Sequence, residues 1–199
     1  FLFSIRMMKV CIVLFFVGIC FADLTAPDSF DVLFTTTVDG GGNFTLNVQR
    51  AWAPNGVDHF YTLLQPDTYY YDNNGFFRVV TGFVVQWGIN GNPNVTAEWN
   101  TPIPDDPVIQ SNTRGWMSYA ATSQPNSRTT QIYINYADNS YLDDSGFAPF
   151  AQVTSGMDIV DRIYSGYGQE PKQPLIVKQG NEYLEDNYPL LDYVITARI

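Results

Sequence analysis

Histidine and cysteine are scarce in this sequence. Its 199 residues include one histidine and two cysteines, and both cysteines lie in an apolar run near the N-terminus. Without cysteine in the rest of the chain, a disulfide framework is excluded there, and a Cys/His zinc site has too few ligands. His59 falls in a predicted amphipathic helix, where a core or surface role is favoured over catalysis. The composition therefore argues against Ser-His-Asp and Cys-His chemistry.

Basic residues are also few. The chain carries 10 Lys and Arg against 20 Asp and Glu, a formal net charge of −10. Removal of the first 22 residues would take away Arg6 and Lys9, leaving 8 basic and 20 acidic residues and a charge of −12. Such a chain is repelled by phosphate backbones and anionic membranes. Nucleic acid and, after that removal, membranes are therefore not expected as partners.

The apolar run at residues 10–22 predicts a secretory signal peptide. Arg6 and Lys9 precede the run and Ala22 ends it, which is the order of basic, apolar and small residues found in such leaders. The run is too short to span a membrane comfortably. A buried N-terminal strand or helix is the alternative interpretation.

The leader sets the expected domain organisation. We expect a signal peptide over residues 1–22, with the residues before Met8 lying upstream of the natural start, and a single domain over residues 23–199. The size and the 45% hydrophobic content are sufficient for one proper core. The expected location is the secretory pathway, either secreted or in the endoplasmic reticulum lumen, or periplasmic or extracellular in a bacterium.

Two polar features have competing interpretations. A calcium loop and a solvated turn both fit Asp138, Asn139, Asp143 and Asp144. The spacing and the closing Glu of a calcium loop are missing, so the turn is favoured. Asn43 and Asn94 each begin an Asn-x-Thr sequon, which is a weak signal for glycosylation.

Hydrophobic periodicity predicts many short strands and two helices. The helices are predicted at residues 57–65 and 157–164. The strands are predicted at residues 30–38, 44–48, 76–80, 83–86, 117–120, 132–135, 149–153 and 191–197. Residues 90–106, rich in Pro, Gly and Asn, are predicted to be a long surface loop.

One cation lies in the most apolar strand pair, at residues 76–90. Arg78 follows two phenylalanines and precedes two valines, and Thr81-Gly82 lets the chain reverse. On the paired strands Arg78 and Gln86 can project to one face, with Phe83 as an apolar floor. An ion pair across a sheet edge, or a side chain reaching water, is the alternative interpretation of Arg78.

The string F-x-R-V-V-x-G-F-V-V-Q-x-G at residues 76–88 resembles the central signature of the cyclophilins, the peptidyl-prolyl cis-trans isomerases. Later blocks follow in the family's order: RG and MSYA, TQ and IYIN, GFAPF, and GMDIV. The resemblance covers residues 30–199 and is closer to a bacterial-type or divergent branch. It implies a mainly β fold, a closed eight-stranded antiparallel barrel capped by two α-helices.

The resemblance also implies the site residues. The catalytic pair would be Arg78 and Gln86, with no metal and no cofactor. The substrate-binding side chains would be Phe83, Val84, Tyr133 and Leu142, with Phe76 packed behind them. The rim departs from well-known members, because Phe77 and Phe147 replace histidines, Ala121 replaces an Asn and Tyr141 replaces a Trp. These changes predict weakened cyclosporin binding.

Two functions remain open at this point. The first is an isomerase that accelerates X-Pro isomerisation during folding of exported proteins. Rotation about this bond breaks no covalent bond, so a cation aimed at the prolyl nitrogen suffices and no nucleophile is needed. The second is a binding module that grips Pro-containing segments without useful catalysis. Either function predicts Pro-containing peptides and unfolded clients as partners of a monomer.

Overall fold

The computed structural model describes residues 24–199. The predicted leader, both cysteines and the expected first mature residue, Asp23, lie outside the described residues. Within residues 24–199, no helix combines the length and the apolar character needed to cross a bilayer. The same residues contain no group of three or more His, Cys, Asp and Glu side chains arranged to hold a metal ion.

Eight antiparallel strands form one curled sheet. They are β1 Ser29–Thr36, β2 Asn43–Gln49, β3 Arg78–Val80, β4 Val84–Trp87, β5 Trp116–Tyr119, β6 Ile132–Asn135, β7 Pro149–Ser155 and β8 Val194–Arg198. Their order is β3-β4-β6-β5-β7-β2-β1-β8. Along β1 and β2, buried positions alternate with more exposed ones, because successive side chains point to opposite faces of a strand, and apolar residues fill most of the buried positions. The predicted mainly β, antiparallel architecture is confirmed.

The two ends of the sheet meet at a single point. The outermost strands are β3 and β8, and an isolated antiparallel bridge joins Gly75 to Tyr193 beside them. The Phe76 amide also donates to the Asp192 carbonyl at 3.0 Å. A single bridge is less than a ladder of paired residues, so the sheet is a curled half-barrel and the predicted closed barrel is not confirmed.

The described residues contain five α-helices rather than the two that we predicted. They are α1 Pro54–Leu63, α2 Pro93–Trp99, α3 Met157–Asp161, α4 Gln173–Gln179 and α5 Asn181–Asn187. Helix α2 lies in the segment that we predicted to be a loop. Both α2 and α4 carry proline in the first turn. Proline fits there because the first helical N–H groups have no partner within the helix, so the proline of α2 is compatible with a helix start in a segment that we predicted to be a loop.

Two apolar clusters hold the fold together. The larger fills the inside of the curled sheet, where the rings of Phe34 and Phe44 stack at 4.9 Å. The smaller joins α4 and α5 to the strands next to the candidate site, through Phe77, Ile176 and Leu184. Phe77 therefore packs with residues of α4 and α5 and not in the larger cluster.

Candidate active site

A cavity of about 260 Å³ opens beside β3, β4 and β6. Eight of the ten predicted site residues line it: Arg78, Phe83, Val84, Gln86, Ala121, Tyr133, Leu142 and Phe147. The other two lie elsewhere. Phe76 is fully buried in the larger core cluster, with its ring 5.2 Å from that of Trp87. Tyr141 is 61% exposed, on the 3-10 helix Ser140–Ser145.

The hairpin of β3 and β4 brings the two predicted catalytic side chains together. Arg78 and Gln86 are directly opposite in the antiparallel register, so their side chains share one face. Gly82, at φ 74°, supplies the left-handed turn residue of the connection. The local sequence alone therefore fixes this pair.

Arg78 is half-buried and bonded only to neutral groups among the described residues. Its Nη1 donates to Gln86 Oε1 at 3.0 Å and its Nη2 to Gln169 Oε1 at 3.5 Å. The guanidinium carbon lies 5.4 Å from the centre of the Phe83 ring. Burial lowers the pKa of Arg78, because no carboxylate offsets the loss of water. The cation is therefore held in place but not neutralised, unlike the alternative ion pair.

Glutamines continue from Arg78 along the cavity. Gln86 Nε2 donates to Gln131 Oε1 at 2.8 Å, so an arginine and two amides form one chain of hydrogen bonds. Gln131 and Gln173 also line the cavity. We call Arg78, Gln86, Gln131 and Gln173 the amide wall. Sequence reasoning missed Gln131 and Gln173 as site residues, although Gln131 stands immediately before the recognised IYIN block.

Another part of the cavity lining is apolar. Tyr133 comes from β6, Leu142 from the 3-10 helix and Phe147 from the segment after it. The Tyr133 and Phe147 rings meet edge to face with centres 6.0 Å apart. Burial raises the pKa of Tyr133 well above its usual range, so its hydroxyl keeps its proton. We call Tyr133, Leu142 and Phe147 the apolar wall.

A fully buried amide, Asn112, ties the apolar wall together. Its Oδ1 accepts from Tyr133 Oη at 2.9 Å and from Ser118 Oγ at 2.8 Å. Its Nδ2 donates at 2.7 Å both to the Phe147 carbonyl and to Asp143 Oδ1. One side chain thus joins β5, β6 and the 3-10 helix, and sequence reasoning did not identify it.

Asp143 fixes the 3-10 helix that carries Leu142. Its carboxylate accepts from the Ser111 hydroxyl, from the Asn112 backbone N–H at 2.9 Å and from the Asn112 amide. Burial acts to raise the pKa of Asp143, but the hydrogen bonds from Ser111 and Asn112 outweigh it and hold the pKa below its usual value. The Asp143 carboxylate, which lies in the predicted polar turn, therefore holds the 3-10 helix against residues 111 and 112.

The cavity suits one kind of chemistry. Its apolar wall and the Phe83 ring can hold a small apolar ring, while the amide wall offers a cation and carboxamides to a flanking peptide group. His59 is buried in α1, within 6.3 Å of the Tyr119 ring and away from the lining residues. The arrangement can stabilise charge on a bound amide without forming a covalent bond.

Known proteins share this sequence pattern. A family model described as cyclophilin type peptidyl-prolyl cis-trans isomerase/CLD matches residues 33–181. Peptidyl-prolyl cis-trans isomerase A of Dickeya dadantii is 32% identical over 165 residues, covering 77% of this chain and 84% of the relative. A peptidyl-prolyl cis-trans isomerase of Acinetobacter baylyi is 35% identical over 149 residues, covering 67% of this chain and 77% of the relative.

Solved structures share the fold. A crystal structure of a Cryptosporidium parvum cyclophilin type peptidyl-prolyl cis-trans isomerase superimposes with a TM-score of 0.62 at 18% identity. The superposition covers 86% of this chain and 97% of that one. A crystal structure of the same protein in the presence of the dipeptide Ala-Pro gives a TM-score of 0.61 at 19% identity, covering 85% and 98% of the two chains.

Proposed function

The chain belongs to the cyclophilin-type peptidyl-prolyl cis-trans isomerase family, and we propose that it uses the Arg78 cavity to isomerise X-Pro bonds in exported proteins. Its activity is peptidyl-prolyl cis-trans isomerisation, and a fold of this kind binds Pro-containing peptides. The assignment of roles to single residues and the export of the protein are our proposals.

Arg78 is the proposed catalytic residue. Rotation of the X-Pro bond is opposed by a barrier of about 18–20 kcal/mol, because the nitrogen lone pair is delocalised into the carbonyl. A guanidinium N–H aimed at the prolyl nitrogen stabilises the twisted state, in which the lone pair is localised. Gln86 holds the guanidinium from one side at 3.0 Å and, through its own amide, orients the substrate backbone.

The apolar residues of the cavity hold the proline ring. Phe83, Leu142 and Phe147 line the space in front of Arg78, and Val84, Ala121 and Tyr133 complete the surface. A ring fixed there leaves the amide on its N-terminal side beside the amide wall. Because the bound amide is already oriented towards Arg78, less entropy is lost in reaching the transition state, and the barrier to rotation is lowered further.

The neutral surroundings of Arg78 are the observation that supports catalysis most strongly. An arginine with a structural role is expected to form an ion pair with a carboxylate. Arg78 instead donates to two amide oxygens. In the twisted amide the lone pair is localised on the prolyl nitrogen. A cation that is partly removed from water stabilises this lone pair more strongly than a fully solvated cation would.

A protease-coupled assay on a Pro-containing peptide tests the proposal. The protease cleaves only the trans form, so the slow phase of cleavage reports the cis-to-trans rate. We expect this rate to rise in proportion to protein concentration. If the peptide binds in titration calorimetry but the slow phase does not accelerate, the protein is instead a binding module for Pro-containing segments.

Export and clients complete the proposal. The predicted leader over residues 1–22 would direct the domain into the secretory pathway, where unfolded client proteins are its substrates. We propose a monomer with its mature N-terminus at Asp23. N-terminal sequencing of exported protein and analytical ultracentrifugation measure these two properties, and retention of residues 10–22 in the exported form would contradict the first.

Cyclosporin is a proposed ligand of weakened affinity. The reason is Tyr141, which precedes the cavity-lining Leu142 on the 3-10 helix and matches the position of a Trp in many members of the family that the sequence resembles. Its side chain is 61% exposed, which leaves it accessible to a bound macrocycle.

A further inference from the structure

We propose that residues 165–173 form an additional substrate-binding wall, in which the Gln173 carboxamide bonds to the main chain of the peptide beyond the proline. The inference rests on the proposed isomerase function and names a specificity-determining residue for it. Gln173 lies in the C-terminal part of the chain, 95 positions after Arg78 in the numbering, yet both side chains line one cavity.

The segment lies along the free edge of the sheet. β3 is an outermost strand, and the Val79 amide donates to the Gly168 carbonyl at 2.8 Å. This bond places the next residue, Gln169, beside Arg78, whose Nη2 donates to Gln169 Oε1 at 3.5 Å. The segment therefore covers the edge on one side and reaches the catalytic cation on the other.

Packing behind the segment keeps it in place. Helix α4, which begins at Gln173, buries Ile176 completely, and α5 leaves Leu184 only 1% exposed. Both contact the cluster that contains Phe77. The backbone N–H of Lys172 also donates to the Tyr183 hydroxyl at 3.2 Å. A side chain at the start of α4 thus rests on a fixed support, which is what a recognition residue needs.

The chemistry of Gln173 matches a peptide group. Its carboxamide offers one acceptor and two donors, and no hydrogen bond to it is found among residues 24–199. The side chain is half-buried rather than enclosed, so a ligand can reach it. With the proline ring against Phe83 and Leu142, as proposed above, the Gln173 carboxamide, which lines the same cavity, contacts the chain farther along. Because the carboxamide is neutral and bonds to the main chain, it favours longer peptides over shorter ones and does not select for the charge of their side chains.

Kinetics on two peptides test the inference. One peptide is a short, blocked Ala-Pro substrate with a protease-cleavable reporter, and the other extends it by three residues on each side. We expect Gln173→Ala to raise KM for the longer peptide by about three- to tenfold, the loss of one or two neutral hydrogen bonds. The kcat for both peptides and the KM for the short one should stay within about twofold, because Arg78 is untouched.

Two further variants make the result decisive. Gln179→Ala removes the same side chain from the exposed end of α4 and should leave all constants unchanged. Gln173→Glu keeps the size and suits the first turn of a helix, but it removes the amide donors, so it should also raise KM for the longer peptide. Equal constants for the Gln173 and Gln179 variants would overturn the inference, as would a fall in kcat without a change in KM. Failure of the wild-type protein to turn over either peptide would instead contradict the proposed function.

Discussion

The two walls of the cavity are built on opposite principles. In the apolar wall, Asn112 bonds to the Asp143 carboxylate through a partly buried hydrogen bond and to the Tyr133 hydroxyl through a buried one. In the amide wall, Arg78 and Gln86 contact only neutral partners, and Gln173 has no partner among the described residues. The polar groups behind the apolar wall therefore bond to one another and hold the wall in shape. The polar groups of the amide wall are available to bind the substrate.

This difference separates stability from activity. Hydrogen bonds between buried groups are costly to break, because the remaining partner is left without water. Hydrogen bonds of half-buried side chains at the cavity surface, such as Arg78 and Gln131, are replaced by water or substrate at less cost. Changes at Arg78 and Gln86 should therefore affect catalysis in a folded protein, whereas a change at Gln173 should affect the binding of longer peptides. Changes in the support of the apolar wall should affect folding first.

The largest expected effect concerns Arg78. Arg78→Ala should lower the isomerisation rate constant by at least tenfold, or about 1.4 kcal/mol, with an upper range near the thousandfold, about 4 kcal/mol, seen when a key donor to a developing charge is lost. Lysine should restore only part of the rate, because an ammonium cannot reproduce the planar fork. The assay is protease-coupled cleavage, with the melting temperature measured on the same sample.

Arg162→Ala is the matched control for this prediction. Arg162 is exposed and pairs with Asp39 and Asp158, so its loss should change neither rate nor melting temperature noticeably. A folded Arg78→Ala protein with unchanged turnover would show that Arg78 is not the catalytic residue. A lower melting temperature with normal activity per folded molecule would identify Arg78 as structural.

The second prediction concerns Asn112, where we expect a loss of stability as the primary effect. Asn112→Ala leaves the Tyr133 and Ser118 hydroxyls and the Asp143 carboxylate short of a partner, so the free energy of unfolding should fall by about 1–3 kcal/mol. A loss of that size lowers the melting temperature by roughly 2–4 °C per kcal/mol in a chain of this length. Asn187→Ala, at an exposed end of α5, is the control. Equal urea midpoints for the two variants would show that the Asn112 network does not stabilise the wall.

The third prediction concerns the outer side of the apolar wall. Tyr141→Trp restores the larger ring and an indole donor on the 3-10 helix, so cyclosporin affinity should increase by about 1–3 kcal/mol in titration calorimetry. Because Tyr141 is mostly exposed, stability should not change. If both proteins bind cyclosporin equally, Tyr141 does not determine its affinity.

The smallest expected effect is the pH dependence from Asp143. Its pKa is lower in the folded protein than in the unfolded chain, so the ionised carboxylate contributes stability above the ordinary aspartate pKa of about 4. That contribution is lost as the pH falls through the lowered pKa. Asp143→Asn should therefore cost about 1 kcal/mol near pH 7 and progressively less below about pH 4. The control is Asp144→Asn, an exposed carboxylate on the same helix. Melting curves of both variants are measured from pH 7 to pH 3, and similar curves for the two would contradict the role of Asp143.

Proline placement explains the main error in predicting the fold. Residues 90–106, which contain α2, are rich in proline, glycine and asparagine, which indicate a loop when composition alone is considered. In the structure Pro93 begins α2 after Asn92, whose side chain accepts from the Asn94 amide at 3.0 Å. The capping bond and the packing of α2 on α4 together favour a helix, and the second of these requires knowledge of distant residues.

The sequence by itself determined the strand pattern, the family and the pairing of Arg78 with Gln86. Each of these depends on neighbours, since alternation along a strand and a short turn fix which side chains share a face. The tertiary structure alone decided that Asn112 meets Asp143 and Tyr133, that Gln173 returns to the cavity of Arg78, and that the edges of the sheet meet at one bridge. These contacts join segments far apart in the chain, and no local preference specifies them, because they form only when the apolar clusters bring those segments together.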